Sequence, residues 1–259
     1  MFKEELKKLY LYRHTLWSMA LKQLKAKYTP SFLGILWAVI NPLLVMSAIS
    51  FVFTVIFKVG IKNFPLFILS GIYPWLFFSA VLSEASSAIL NRQTVLRQFN
   101  LPREILPLSC CLSNFMNFLI GWLVIYPVFL FFNPRIILFS PLLILIFLLN
   151  FIFLCGLSLF FSILNIFFRD LEHMLGVLLM FWLWVTPVFY SLDMIPEKFR
   201  WVCYLNPVTP FIIYYSDVLY RGVMPSSSTF IGIFLWSIFS IMLGWLLFLR
   251  LEGKILKRI

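Results

Sequence analysis

Splitting the chain at every Asp, Glu, Lys and Arg leaves six uninterrupted stretches of at least twenty residues: 28–57, 63–83, 105–134, 136–168, 173–192 and 222–249. The next longest, 201–216, has sixteen residues and includes Pro207 and Pro210. A helix needs about 20 apolar residues to cross the hydrocarbon core of a bilayer. The chain therefore reads as an all-α integral membrane protein with six transmembrane helices, at 33–57, 65–90, 105–131, 140–165, 174–190 and 229–249. The alternation that marks a membrane barrel is absent. A mean hydropathy of +0.98 agrees. Only 12% of residues are charged, about half the fraction usual in soluble domains.

Six spans put both termini on one side. That side carries fifteen Lys and Arg residues: seven before the first span, Arg92, Arg97 and Arg103 between the second and third, Arg169, and four in the tail. The opposite side carries six. The positive-inside rule places the fifteen, and both termini, in the cytoplasm. The formal net charge of +11 is then topology plus attraction to anionic membrane lipid. No soluble domain exists to carry a nucleic-acid face, so nucleic acid is not an expected partner.

Cys110, Cys111 and Cys155 fall inside spans and Cys203 falls outside them, so no internal disulfide is expected, and no zinc spacing occurs. Cys203 is expected to be open to thiol reagents from outside. The amphipathic start lacks the apolar core of a cleavable signal peptide. Phe2, Leu6, Leu9, Leu16, Trp17, Ala20 and Leu24 share one helical face, with Lys7, Lys8, Lys22 and Lys25 opposite. Residues 1–27 thus read as a basic amphipathic helix in the membrane interface.

No linker or repeat divides residues 1–259, which read as one transmembrane domain. One outer segment, 191–228, is too long for a turn and too apolar for a disordered loop. Pro196, Pro207, Pro210 and Pro225 punctuate it into two short helical pieces near 197–205 and 210–221. A re-entrant helical hairpin between the fifth and sixth spans fits that pattern.

Absences narrow the chemistry. The only acidic residue within a span is Glu84, and no Lys, Arg or His falls at mid-depth. Ion-coupled transporters carry such groups as relays, so secondary transport is disfavoured; Glu84 reads as a snorkelling or helix-pairing carboxylate. No phosphate-binding G-x-x-x-x-G-K-[ST] loop occurs, since Gly253–Lys254 is followed by Ile255. "RDLE" at 169–172 has no second acidic cluster to form a metal or transferase site with. The chain is expected to be no enzyme, to bind no cofactor or metal, and to draw energy from a partner.

Aromatic rings are abundant instead. The fifth span carries Phe181, Trp182, Trp184, Phe189 and Tyr190; the approach to the first carries Tyr28, Phe32 and Trp37; the outer segment carries Trp201, Tyr204, Tyr214 and Tyr215. Flat rings suit the apolar C–H face of a sugar, although interfacial belts of Trp and Tyr form in any membrane protein. Ser109, Ser113 and Asn117, with Asn114 beside them, are small polar residues of the kind that join helices in lipid. In 91–104, "NRQTVLRQFNLPRE", Val95, Leu96 and Phe99 make a short apolar stripe among Arg92, Arg97 and amides. Pro102 pushes Leu101 out of helical geometry, which predicts a short amphipathic helix that breaks there. Its stripe suits a groove on a partner.

These words in order resemble the permease subunits of ABC-2 type exporters, above all the polysaccharide exporters that move O-antigen, capsule and teichoic acid. "KYTPSFLGILWAVINPL" (from Lys27) resembles the family's first-helix segment, and "NRQTVLRQFNLPREILPLS" its link between helices 2 and 3. "FFRDLEHML" resembles the link between helices 4 and 5, and "TPVFY" with "IP" and "NPVTPF" (Pro187, Pro196, Asn206, Pro207) the outer gate. "LKQLK" stands where the family often has Arg-Asp, and Lys27 replaces a frequent arginine.

The resemblance implies a homodimer of permeases in the inner (cytoplasmic) membrane, bound to a cytoplasmic ABC ATPase that holds the ATP and Mg. A lipid-linked glycan would pass between the two copies. Tyr28, Phe32, Trp37, Phe181, Trp182, Trp184, Phe189 and Tyr190 would line its channel. Trp201, Tyr204, Tyr214 and Tyr215 would form the outer gate. Arg92, Val95, Leu96, Arg97, Phe99 and Arg103 would couple to the ATPase. The rival readings are an ABC-2 exporter of a small lipid or drug, and a lipid-processing membrane enzyme.

Overall fold

The computed structural model describes residues 2–29, 31–98, 101–168 and 170–255, and among these no strand occurs. Two helices come first, the amphipathic α1 (Phe2–Leu11) and α2 (Arg13–Tyr28), parted at Tyr12. Of the predicted stripe, Ala20 and Leu24 are buried, Leu9 and Leu16 pack on the core and Trp17 faces outward, while the side chains of Phe2 and Leu6 lie outside the described residues. α3 (Trp37–Phe51) opens with a 3-10 turn at Gly34–Leu36 and runs into a π turn at Val52–Ile56. α4 (Phe64–Ser87) follows, then the short α5 (Gln93–Gln98), α6 (Ile105–Phe132), α7 (Ser140–Phe167) and α8 (Leu171–Val185). α9 (Arg200–Leu205) and α10 (Thr209–Tyr215), the latter extended by a π turn at Ser216–Arg221, precede α11 (Ser227–Ile255).

Five of these segments are long and apolar enough to cross a membrane: Gly34–Ile56, Phe64–Ser87, Ile105–Phe132, Pro134–Phe167 and Ser227–Lys254. The chain is a multi-pass helical membrane protein. The predicted fifth span, 174–190, is shorter than expected: α8 has 15 residues, about 22 Å at 1.5 Å per residue. The cause is local. Thr186 precedes Pro187 and adopts an extended backbone (φ −89°, ψ 135°), as the proline ring requires. The apolar run continues, but the helix stops at Val185.

α4 is the hub. Within its most apolar stretch 72% of residues are buried, against 11% for Gly34–Ile56. Its Tyr73 and Phe77 stack on Phe118 of α6 at 5.0 and 4.6 Å between ring centroids. The two helical pieces expected in 191–228 are present, and the second is packed inside the bundle. Tyr215 is fully buried, 3.4 Å from Asn150 Nδ2 and stacked over Trp122.

Candidate functional site

α2 ends by reaching across two other helices. Lys27 Nζ lies 2.7 Å from Glu84 Oε1 on α4 and 2.7 Å from Asn114 Oδ1 on α6, and Asn114 Nδ2 donates to Glu84 Oε2 at 2.9 Å. One turn back, Gln23 Nε2 donates to Ser109 Oγ at 2.8 Å. The Tyr28 hydroxyl donates to Asn117 Oδ1. Burial, and then the nearby Glu84 carboxylate, push the Tyr28 phenol up, so it stays protonated and donates. Glu84 is thus a helix-pairing carboxylate. The polar stripe Ser109–Asn114–Asn117 joins α6 to α2, as small polar residues do in lipid.

Beside this cluster opens a cavity of about 650 Å³. Trp37 and Asn41 of α3, Ser79 and Ser83 of α4, Asn117 of α6 and Leu179 of α8 face it. Tyr73, Phe77 and Phe118, already stacked on one another, floor it. Trp37 and Asn41 stand four residues apart and so share a helical face. The Trp37 indole is held by Nε1, which donates to Ser31 Oγ at 2.9 Å.

The predicted channel residues divide. Tyr28 and Trp37 line the cavity; Phe32 is fully exposed and does not. On α8, Phe181 and Trp184 face outward. Trp182 faces inward, edge-on to Phe78 at 5.1 Å, and its Nε1 donates to Asn206 Oδ1 at 2.9 Å. Phe189 is buried between Phe53 and Trp184, and the Tyr190 hydroxyl donates to Trp184 O at 2.9 Å. Asn206 also accepts from Val208 N at 3.0 Å and donates to Thr186 Oγ1 at 2.9 Å, pinning the end of α8 to the turn between α9 and α10.

In the outer segment Trp201 and Tyr204 are exposed. Tyr214 and Tyr215 are buried, with the Tyr214 hydroxyl donating to Leu142 O at 3.0 Å. Cys203 corrects an expectation: it lies outside the long helices, yet it is 3% exposed, its thiol turned toward Val185 O. Burial also pushes that thiol up, so it is a poor target for thiol reagents. On α9 Cys203 is buried while Trp201, Tyr204 and Leu205 are exposed.

Around α5, Leu96 packs against the core, and Arg92 Nη1 lies 3.5 Å from Cys110 Sγ. Leu101 lies in no helix and α6 starts at Ile105, while residues 99–100, just before the predicted break, lie outside the described residues. Arg103 Nη1 donates to Glu252 O at 2.6 Å and lies 3.5 Å from Glu252 Oε1, tying this link to the end of α11. Phe99, Arg169 and the side chains of Val95 and Arg97 lie outside the described residues.

Sequence reasoning missed Asn41, the one amide in the first charge-free stretch, and the partnership of Lys27 with Glu84. The first could have been found by its rarity. The second joins residues 57 apart and leaves no local signal.

The profile of the ABC-2 type transporter family matches residues 14–220. An O-antigen export system permease protein, RfbA, of Klebsiella pneumoniae is 36% identical over 210 residues, covering 78% of this chain and 79% of that protein. A second Klebsiella pneumoniae protein of that name is 33% identical over 216 residues. A Myxococcus xanthus protein, also so named, is 32% identical over 227 residues, covering 85% and 86%. Relatives of this kind are membrane permease subunits of ABC exporters, transport components and not enzymes, and this chain belongs to the ABC-2 type transporter family.

Proposed function

We propose that this chain is the membrane-spanning subunit of an ATP-driven exporter that carries a lipid-linked, O-antigen-like polysaccharide across the cytoplasmic membrane. Its partners would be a second copy of itself and a cytoplasmic ABC ATPase that holds ATP and Mg. The carrying observation is the similarity, over most of the chain, to relatives whose names state O-antigen export. The charge bias supports cytoplasmic termini. In this reading α8 serves as the fifth of six spans, and the α9–α10 hairpin re-enters the membrane from outside. The depth of Tyr215, beside a residue ten positions into α7, supports the latter. The weakly buried α3 and the outward aromatics of α8 support a glycan path, and a contact between copies, on that side. Residues 91–104 are the proposed ATPase-coupling link.

The experiment is genetic. Deleting the gene in its native host removes surface polysaccharide and leaves lipid-linked glycan inside, and a plasmid copy restores export. An unchanged surface glycan with altered drug tolerance or lipid content would move the assignment to a small-molecule exporter.

A further inference from the structure

Among the described residues one cation, Lys27, lines the cavity beside α2, and it is already matched. Lys27 Nζ sits 2.7 Å from Glu84 Oε1, and Asn114 bridges the pair by accepting from Lys27 and donating to Glu84. The triangle is net neutral. A phosphate entering here would meet an ammonium already paired with a carboxylate, whereas anion sites offer free charge-assisted donors.

The uncommitted groups have a different character. The Asn41 amide, Asn117 Nδ2 and the Ser83 hydroxyl face the cavity with no hydrogen-bond partner among the described residues. Asn41 is exposed, seven residues into Gly34–Ile56, about 10 Å along the helix. Hydrocarbon satisfies no amide, and intramembrane polar groups face cavities or partners. Trp37, one turn earlier on the same face, presents a ring whose tilt Ser31 fixes. The volume of about 650 Å³ falls within the range of small-molecule sites.

An aromatic platform, two amides and a hydroxyl with no net charge are the chemistry that grips an uncharged sugar ring: the C–H face on the indole, the hydroxyls on the amides. We propose that this cavity is a seat for one uncharged sugar ring, with Trp37 as platform and Asn41 and Asn117 as the groups that read its hydroxyls. The Lys27–Glu84–Asn114 triangle positions α2 and keeps the seat neutral. This deepens the glycan-export reading and rests on it.

The test uses the full-length protein in lipid nanodiscs and probes that share one tail: octyl glycosides of glucose, galactose, mannose and N-acetylglucosamine, and octyl diphosphate. In equilibrium dialysis at least one glycoside binds saturably, and octyl diphosphate does not displace it. Asn41→Leu and Trp37→Ala each weaken that binding about tenfold, the scale of one well-made contact. Asn41→Gln recovers part of it, and unchanged melting temperatures show that the variants fold. Tighter binding of octyl diphosphate than of every glycoside would overturn the proposal in favour of an anion seat. Equal binding of all heads, or none, would overturn it too, leaving a gap for alkyl chains. Surface-glycan export in cells is read separately. Export that persists while glycosides fail to bind refutes the seat and keeps the exporter; absent export in the wild type refutes the exporter.

Discussion

Between α7 and α11 the backbones approach so closely that a methyl group has no room. A Cβ on Gly244 would lie 2.0 Å from Gly156 O, and one on Gly156 would lie 2.3 Å from the Ser240 carbonyl carbon. The Ser237 and Ser240 hydroxyls cross the gap to Leu149 O and Phe153 O at 3.0 and 2.7 Å. α3 and α8 are built differently. On α8 only Leu175 and Leu179 are buried, while Met174, Val177, Met180, Phe181 and Trp184 are exposed. Lipid supplies no hydrophobic force between helices, so close backbone packing and interhelical hydrogen bonds hold them together. α7 and α11 have both and form a scaffold. α3 and α8 have little of either, and elements with few buried contacts are the ones that open at low cost.

The largest effect that would break this contrast lies at Gly244. Gly244→Val is expected to leave almost no folded protein, and Gly244→Ala to cost about 1–3 kcal/mol through forced separation of the backbones. Thermal unfolding in detergent measures both, and a Gly244→Val protein that melts like wild type would dissolve the scaffold.

Trp182 and Trp184 sharpen it next, since they sit two residues apart on one helix with opposite surroundings. Trp182→Ala removes a half-buried ring and its hydrogen bond to Asn206, for a loss of about 2 kcal/mol. Trp184→Ala removes an outward ring and shifts stability by less than about 0.5 kcal/mol. Export, measured as surface glycan, should nevertheless fall in Trp184→Ala. Equal melting losses in the two variants would erase the distinction between the inner and outer faces of α8.

A smaller effect is expected at the joint between α2 and the bundle. Glu84→Gln keeps the shape but removes the charge opposite Lys27, at a cost of about 1 kcal/mol for a half-exposed pair. Limited proteolysis should then cut faster near residues 29–33, with α7 and α11 unaffected.

The smallest concerns orientation, which the buried Cys203 cannot report. In a cysteine-free background, Ser226→Cys, an exposed position in the outer segment, should react with an impermeant maleimide from outside and Lys7→Cys only after permeabilisation. The reverse pattern would invert the topology with little change in stability.

How much of this was legible follows from the range of each interaction. Charge-free stretches are a property of the chain alone, and they located the five long helices to within a few residues. The stop at Val185 was also written locally, in Thr186–Pro187, but charge counting runs past a proline. Trp182 and Trp184 looked alike because the aromatic count ignores angle; two residues are about 200° apart on a helix, so one had to face away from the other. The Lys27–Glu84–Asn114 triangle draws on three helices, and only the fold brings them together. Asn206 was visible as part of a family word, and its reason became plain only with Trp182 and Thr186 around it.

The central claim is that the α3–α8 side moves during export while the α7–α11 side does not. Phe53 and Phe189 stack across the first at 6.0 Å; Ser237 meets Leu149 across the second. In a cysteine-free background, Phe53→Cys with Phe189→Cys, and separately Ser237→Cys with Leu149→Cys, are oxidised to cross-links and surface glycan is followed over time. Export should stop in the first pair while it is cross-linked and resume on reduction, with the second pair exporting throughout. Export at the uncross-linked rate through a fully cross-linked Phe53→Cys/Phe189→Cys protein would contradict the account.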